Sequence, residues 1–177
     1  MENVFNGLQE FLDVGGSILF YIMLLTFFMW TFILERFAYY IFAHKPLKSR
    51  LMAEWDERSD KTSWKAAAIK DELVSQVKER TSANILIIKT LVALAPLLGL
   101  LGTVTGMIEV FDVMALSGSS NARLMAGGVF RATIPTMAGM VAALSGIAFA
   151  TIFPRTSARE TAKFANDLDE STARSLG

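Results

Sequence analysis

Long apolar stretches alternate with short charged ones along this chain. Three are long enough to cross a bilayer of about 30 Å, which takes about 20 helical residues. They cover 17–34, 91–114 and 126–153. The pattern predicts an all-α integral membrane protein with three transmembrane helices. The connecting segments have their own periodicity. Val4, Phe5, Leu8, Phe11 and Leu12 fall on one helical face, which predicts an outer interfacial amphipathic helix over 1–16, ended by Gly15-Gly16. Ser17 is placed to cap the first span. Glu35 and Arg36 close that span, where they are expected to meet the inner headgroups. Residues 35–90 read as a cytoplasmic helical region, with Ile69, Leu73 and Val77 at helical spacing. This helix is expected to run on into the second span. A loop is expected over 115–125. The tail, 154–177, reads as the third helix extended beyond the membrane, with Ala158, Ala162, Ala165, Leu168 and Thr172 on its packing face.

Charge sets the orientation. Of the 17 basic residues, 11 lie in 35–90 and four in 154–177, against none in 1–16 and one in 115–125. The positive-inside rule then puts the N-terminus and the 115–125 loop outside, and the tail in the cytoplasm. In a bacterium that is the inner membrane, with the N-terminus periplasmic. Formal net charge is zero, so nothing argues for nucleic acid. The absence of cysteine excludes Cys metal sites and Cys nucleophiles. A single histidine, His44, leaves no His-rich metal site. The inventory offers no nucleophile, metal or acid–base set for an enzyme.

The second and third spans differ from the bulky first. Gly128, Ala132, Thr136, Gly139, Ala143, Gly146 and Ala150 form one stripe of small residues, and Ala95, Gly99, Gly102 and Gly106 form another. Small stripes let membrane helices approach closely. They pack helices together, and in an oligomer they also suit the wall of a narrow pore. Thr103 and Thr136 each lie roughly 15 Å from the outer end of their span, near mid-membrane. Pro135 predicts a kink in the third span. Arg131 lies about 7 Å deep, at a level close to Glu109 and Asp112, which predicts an ion pair with one of them, within or between subunits. Neither mid-span region holds Asp, Glu, His or Lys. Proton pathways in membranes normally need a titratable group there, so a partner would have to supply it.

The blocks "APLLGLLGTVTGMI" (95–108) and "GVFRATIPTMAGMVAAL" (128–144), with "ILER" (33–36), resemble the MotA/TolQ/ExbB proton-channel family. The layout looks most like a short ExbB of a TonB-type energising system. The resemblance implies a homopentamer around a central pore, with the second and third spans as its wall. It implies a single-span ExbD-like or TolR-like partner whose intramembrane Asp carries protons, and a TonB-like or TolA-like protein that transmits the work. No cofactor is implied; the transported ion would be H+. On this reading Thr103 and Thr136 stand on the pore threonines, with Gly99, Gly102, Gly106 and Gly139 beside them. Iron-chelate uptake across the outer membrane is the implied use. A TolQ-like role in envelope maintenance and a structural membrane oligomer without ion flux are the alternatives. Two positions depart from the family pattern: Arg131 replaces an acidic residue, and Ser145 replaces a proline.

Overall fold

A computed structural model describes the backbone of residues 2–58, 60–117 and 122–176, and the side chains of 16–58, 60–116 and 125–175. The elements are α1 (Glu2–Ala38), a π-helical turn (Tyr39–Ala43), α2 (His44–Asp56), α3 (Trp64–Ser82), α4 (Ile85–Ser117) and α5 (Ala122–Leu176). No strand occurs among the described residues. Three helical stretches are long and apolar enough to cross a membrane: Gly16–Asp56, Trp64–Leu116 and Met125–Ser175. The side chains of the 1–15 face and residues 118–121 of the expected loop lie outside the described residues. Around that loop, α4 continues to Ser117 and α5 has begun by Ala122. The chain forms two compact units: Met1–Thr31 with Ile88–Ala148, and Phe32–Ile87 with Phe149–Gly177.

In the first unit, α1 buries Leu19, Ile22, Leu25 and Met29, spaced three and four apart, while Phe20, Tyr21, Phe27 and Phe28 stay exposed. Ile22 and Leu25 pack with Ala95, Ala142 and Ala143. Only 28% to 33% of the most apolar stretch of each membrane-length helix is buried, so the remaining surface is left for lipid or neighbouring chains. Gly16 interrupts α1 with φ 65°. A Cβ there would meet nothing within 4 Å, so glycine supplies conformational freedom rather than space.

The second unit is built on a different chemistry. Arg36 is 1% exposed, so it does not reach headgroups as its position at the end of an apolar run suggested. Its Nε donates to the Ala83 carbonyl at 2.8 Å, and both terminal nitrogens donate to the Arg80 carbonyl at 2.9 Å. The guanidinium also lies 4.8 Å from the Tyr39 ring centroid. These carbonyls end α3, where the helix dipole is negative and the last C=O groups lack helical partners. Beside them, Glu35 accepts from Asn84 Nδ2 at 3.0 Å, and Tyr40 donates to the Thr81 carbonyl at 3.1 Å. Asn84 has φ 59°, the left-handed conformation asparagine tolerates. The expected continuous helix is therefore two helices, α3 and α4, broken at Ala83-Asn84.

Leu51, Trp55, Ala66, Leu73, Val77, Phe164 and Leu168 form the apolar core of this unit. Each large one contributes about 1.5–3 kcal/mol by leaving water. Leu73 and Val77 were legible as a face. The tail was legible in part: Leu168 is buried as expected and Ala165 and Thr172 are half-buried, but α5 also buries Phe153, Ser157 and Phe164, while Ala158 and Ala162 are exposed. Alanines offer little apolar area, so the phenylalanines set the face. Ser157 donates to Thr81 Oγ1 at 2.9 Å, and Thr81 donates to the Val77 carbonyl at 2.8 Å. His44 closes the π-turn with its backbone N–H to the Tyr39 carbonyl. Its buried Nε2 lies 3.2 Å from Glu160 Oε2, and Lys163 holds Oε1 at 2.7 Å.

Ser63 caps α3, its hydroxyl oxygen accepting from the Ala66 N–H at 3.2 Å. Its hydroxyl proton goes to Asp60 Oδ2, and Asp60 Oδ1 accepts from the N–H groups of Ser63 and Thr62. The Ser63 hydroxyl first, and then these two N–H groups, hold the Asp60 carboxyl below its ordinary range.

Two outcomes are expected. Arg36→Leu removes the bonds to Arg80 and Ala83 and is expected to lower stability by about 3 kcal/mol, with Arg36→Lys intermediate; thermal unfolding in detergent measures both. Asp60 is held low only when folded, so its stabilisation is complete above the ordinary carboxylate pKa and fades as pH falls through the lowered value. The difference in Tm between wild type and Asp60→Asn should therefore shrink as the buffer is taken from pH 6 to pH 3.

Candidate functional site

The two small stripes meet in the first unit, along a seam between α4 and α5. A Cβ on Gly99 would lie 2.9 Å from Thr136 Cα, and one on Gly106 would lie 2.8 Å from Ala132 Cβ. A Cβ on Gly102 would strike the Pro135 ring, and one on Gly128 would strike Val110. Gly139 faces Gly99, with the Ala95 carbonyl 2.5 Å from where its Cβ would stand. As the residue number falls on one helix it rises on the other, so the helices run antiparallel at backbone contact. The glycines named as pore lining thus occupy the seam itself: Gly99, Gly102 and Gly139 are buried, and Gly106 is half-buried. Their contribution to any wall is to let its two helices touch.

The seam places the threonines. Gly99 opposes Thr136 and Gly102 opposes Pro135, so Thr103 and Thr136 stand within about one helical turn of each other. Helical phase gives the direction. Thr103 precedes Gly106 by three residues and Glu109 follows it by three, so they point about 60° to opposite flanks of the seam. Likewise Thr136 and Arg131 lie about 40° and 100° to opposite flanks of Ala132. In antiparallel helices these senses pair up: Thr103 and Thr136 share one flank, and Glu109 and Arg131 share the other. The second flank is the one α1 covers, since Ile18 Cγ2 would lie 3.2 Å from a Cβ on Gly102. The threonine flank faces away from α1. Both threonines are half-buried.

The hydroxyls differ in their partners. Thr103 donates back to the Leu100 carbonyl at 2.7 Å, as a threonine in a helix can do alone. Thr136 instead reaches across the seam and donates to the Gly99 carbonyl at 2.8 Å. Thr105, Thr133 and Ser145 all bond carbonyls of their own helix. Thr136 is the hydroxyl among these that ties the two helices together. Pro135 is buried against Gly102 within an uninterrupted α5.

Arg131, Glu109 and Asp112 are all exposed. Among the described residues of a single chain they form no ion pair with one another; the six ion pairs found all lie in the second unit. No group of three or more His, Cys, Asp or Glu suited to a metal occurs among the described residues.

Comparison with known proteins adds the following. A family model described as MotA/TolQ/ExbB proton channel family matches residues 37–166, well over half the chain. The chain is 48% identical over 61 residues to the biopolymer transport protein ExbB-like 1 of Synechocystis sp., a stretch covering 33% of this chain and 24% of that protein. It is 39% identical over 77 residues to the biopolymer transport protein exbB1 of Vibrio cholerae, covering 43% of this chain and 34% of that protein. With the ExbB-like 1 protein of Helicobacter pylori it shares 26% identity over 99 residues, covering 56% of this chain and 52% of that protein. The matched stretches thus span from a quarter to about half of these relatives.

The seam makes a paired expectation. Gly139→Ala forces a Cβ against the Ala95 backbone and is expected to cost about 1–3 kcal/mol. Gly127→Ala, where a Cβ meets nothing within 4 Å, is expected to be neutral or slightly stabilising. Thermal unfolding of the two variants in one detergent separates close approach from helix propensity.

Proposed function

The chain belongs to the MotA/TolQ/ExbB proton channel family, and on that premise we propose that it is the pore-forming subunit of an inner-membrane motor driven by the proton-motive force. The observation that carries this reading is the threonine flank. Two hydroxyl-bearing side chains stand within about one helical turn of each other on two touching helices, on the side that α1 leaves free. In a ring of copies, proposed here as a homopentamer, that flank faces the centre. Thr103 and Thr136 line the ion path there, with the Gly99–Gly139 and Gly102–Pro135 contacts as the frame behind them.

The threonines are not proton carriers at ordinary pH, and the mid-span regions of α4 and α5 hold no carboxylate. A single-span partner of the ExbD type supplies an aspartate opposite them, and a TonB-like protein takes the work to outer-membrane receptors, for instance in iron-chelate uptake. The basic segments 35–90 and 154–177 lie in the cytoplasm and the N-terminus in the periplasm, in accord with the charge distribution. A TolQ-like role with TolR-like and TolA-like partners uses the same wall and differs only in the partner recognised.

Thr136→Val keeps the volume but removes one hydrogen bond of about 1 kcal/mol. Assembly and co-purification of a small single-span protein with an intramembrane aspartate are expected to persist, while uptake that depends on the proton gradient is lost. Thr136→Ser should restore much of that uptake. Undiminished uptake in Thr136→Val would remove the threonine from the mechanism. A chain that assembles but binds no such partner and passes no protons would be the structural oligomer instead.

A further inference from the structure

Among the described residues, three charges in the outer third of the first unit have no ion-pair partner. Arg131, Glu109 and Asp112 are exposed on helices whose surroundings are apolar, and no ion pair joins them within the chain. A charge in a membrane helix costs roughly 2.5–3.5 kcal/mol on insertion scales at the centre, less toward the surface. Arg131 cannot leave this level, because Ala132 beside it is buried against Gly106.

The directions of Asp112 and Arg131 point away from pairing with each other within the chain. Asp112 lies six residues beyond Gly106, about 120° round from the seam, and so turns away from its own α5. Arg131 stands about 100° from the seam on α5. Their levels differ by roughly 7.5 Å, but side chains lean toward the N-terminus of their helix. Arg131 therefore leans toward the outer end of α5, and Asp112 leans inward along antiparallel α4. A guanidinium and a carboxylate leaning toward one another, on surfaces that turn away from their own partner helices, suit two different molecules.

We propose that Arg131 of one copy pairs with Asp112 of the next copy, with Glu109 as a flanking carboxylate, so that each chain offers a cation on α5 and an anion on α4. The contact is heterologous: one surface meets a different surface of the neighbour, and repeated head to tail it closes into a ring. The proposal rests on membrane insertion and oligomerisation, as in the reading above, but not on proton flux.

The chain has no cysteine, so the test is clean. The full-length variant Arg131→Cys/Asp112→Cys, treated in native membranes with a short flexible bis-methanethiosulfonate linker because the two positions differ in level by more than a direct disulfide spans, is expected to give a ladder of covalent oligomers. A crosslink confined to monomers, or none, would overturn the proposal. Charge reversal provides the second arm. Arg131→Glu, with Arg131→Gln as a milder variant if it fails to insert, is expected to weaken self-association in detergent by about tenfold or more. Arg131→Glu/Asp112→Arg should restore it. Lack of rescue would mean that Arg131 is satisfied by lipid phosphate rather than by a second copy. Both arms read assembly, not energisation, so a chain that forms the ladder but drives no uptake would fail the motor reading and leave this one standing.

Discussion

Backbone contact between Gly99 and Gly139 fixes the geometry of the membrane part. In lipid, apolar side chains gain nothing by leaving the solvent for each other, so helices associate through close packing and the hydrogen bonds that it permits. A methyl group on either glycine would meet opposing backbone. Close approach brings the Gly99 carbonyl within reach of Thr136, fixes the antiparallel register, and assigns every other residue of α4 and α5 a level and a flank. The threonine flank and the charged flank both follow from that one contact.

The second unit solves a different problem. Its helices end inside it, and their last carbonyls need donors. Arg36 supplies three, from the position where an apolar span would ordinarily release a charge to headgroups. The guanidinium is buried without a carboxylate, with carbonyls at the negative end of α3 and a tyrosine ring in its place. Such an ion is stabilised by dipoles fixed in the fold. Asn84 and Tyr40 then secure the same junction, so the break between α3 and α4 is held from several sides.

Much of this was legible in the sequence, and the limits have a physical cause. Periodicity reports angle along a helix, so the small stripes and the Leu73–Val77 face could be read directly. It does not report what stands opposite. Arg36 looked like a headgroup contact because nothing nearby in sequence shows the α3 carbonyls that surround it. The alanines of the tail kept the right spacing, yet Phe164 and Phe153 took the core because they have the larger apolar area. The glycines, read as packing surfaces that also suit a pore wall, meet in the seam, and a small residue marks close approach without saying whether a lumen lies beyond it. The break at Ala83-Asn84 had a signal in Asn84, a residue that tolerates the left-handed conformation.

One consequence concerns the hydroxyl protons. Thr103 gives its proton to Leu100 and Thr136 gives its proton to Gly99, so both oxygens present only lone pairs to whatever faces them. Such a surface is selective for protonation state. It welcomes a neutral carboxylic acid, a hydronium or an N–H, and offers an ionised carboxylate nothing. A carboxyl group set against these oxygens would be favoured in its protonated form, and the threonines would not need to titrate themselves.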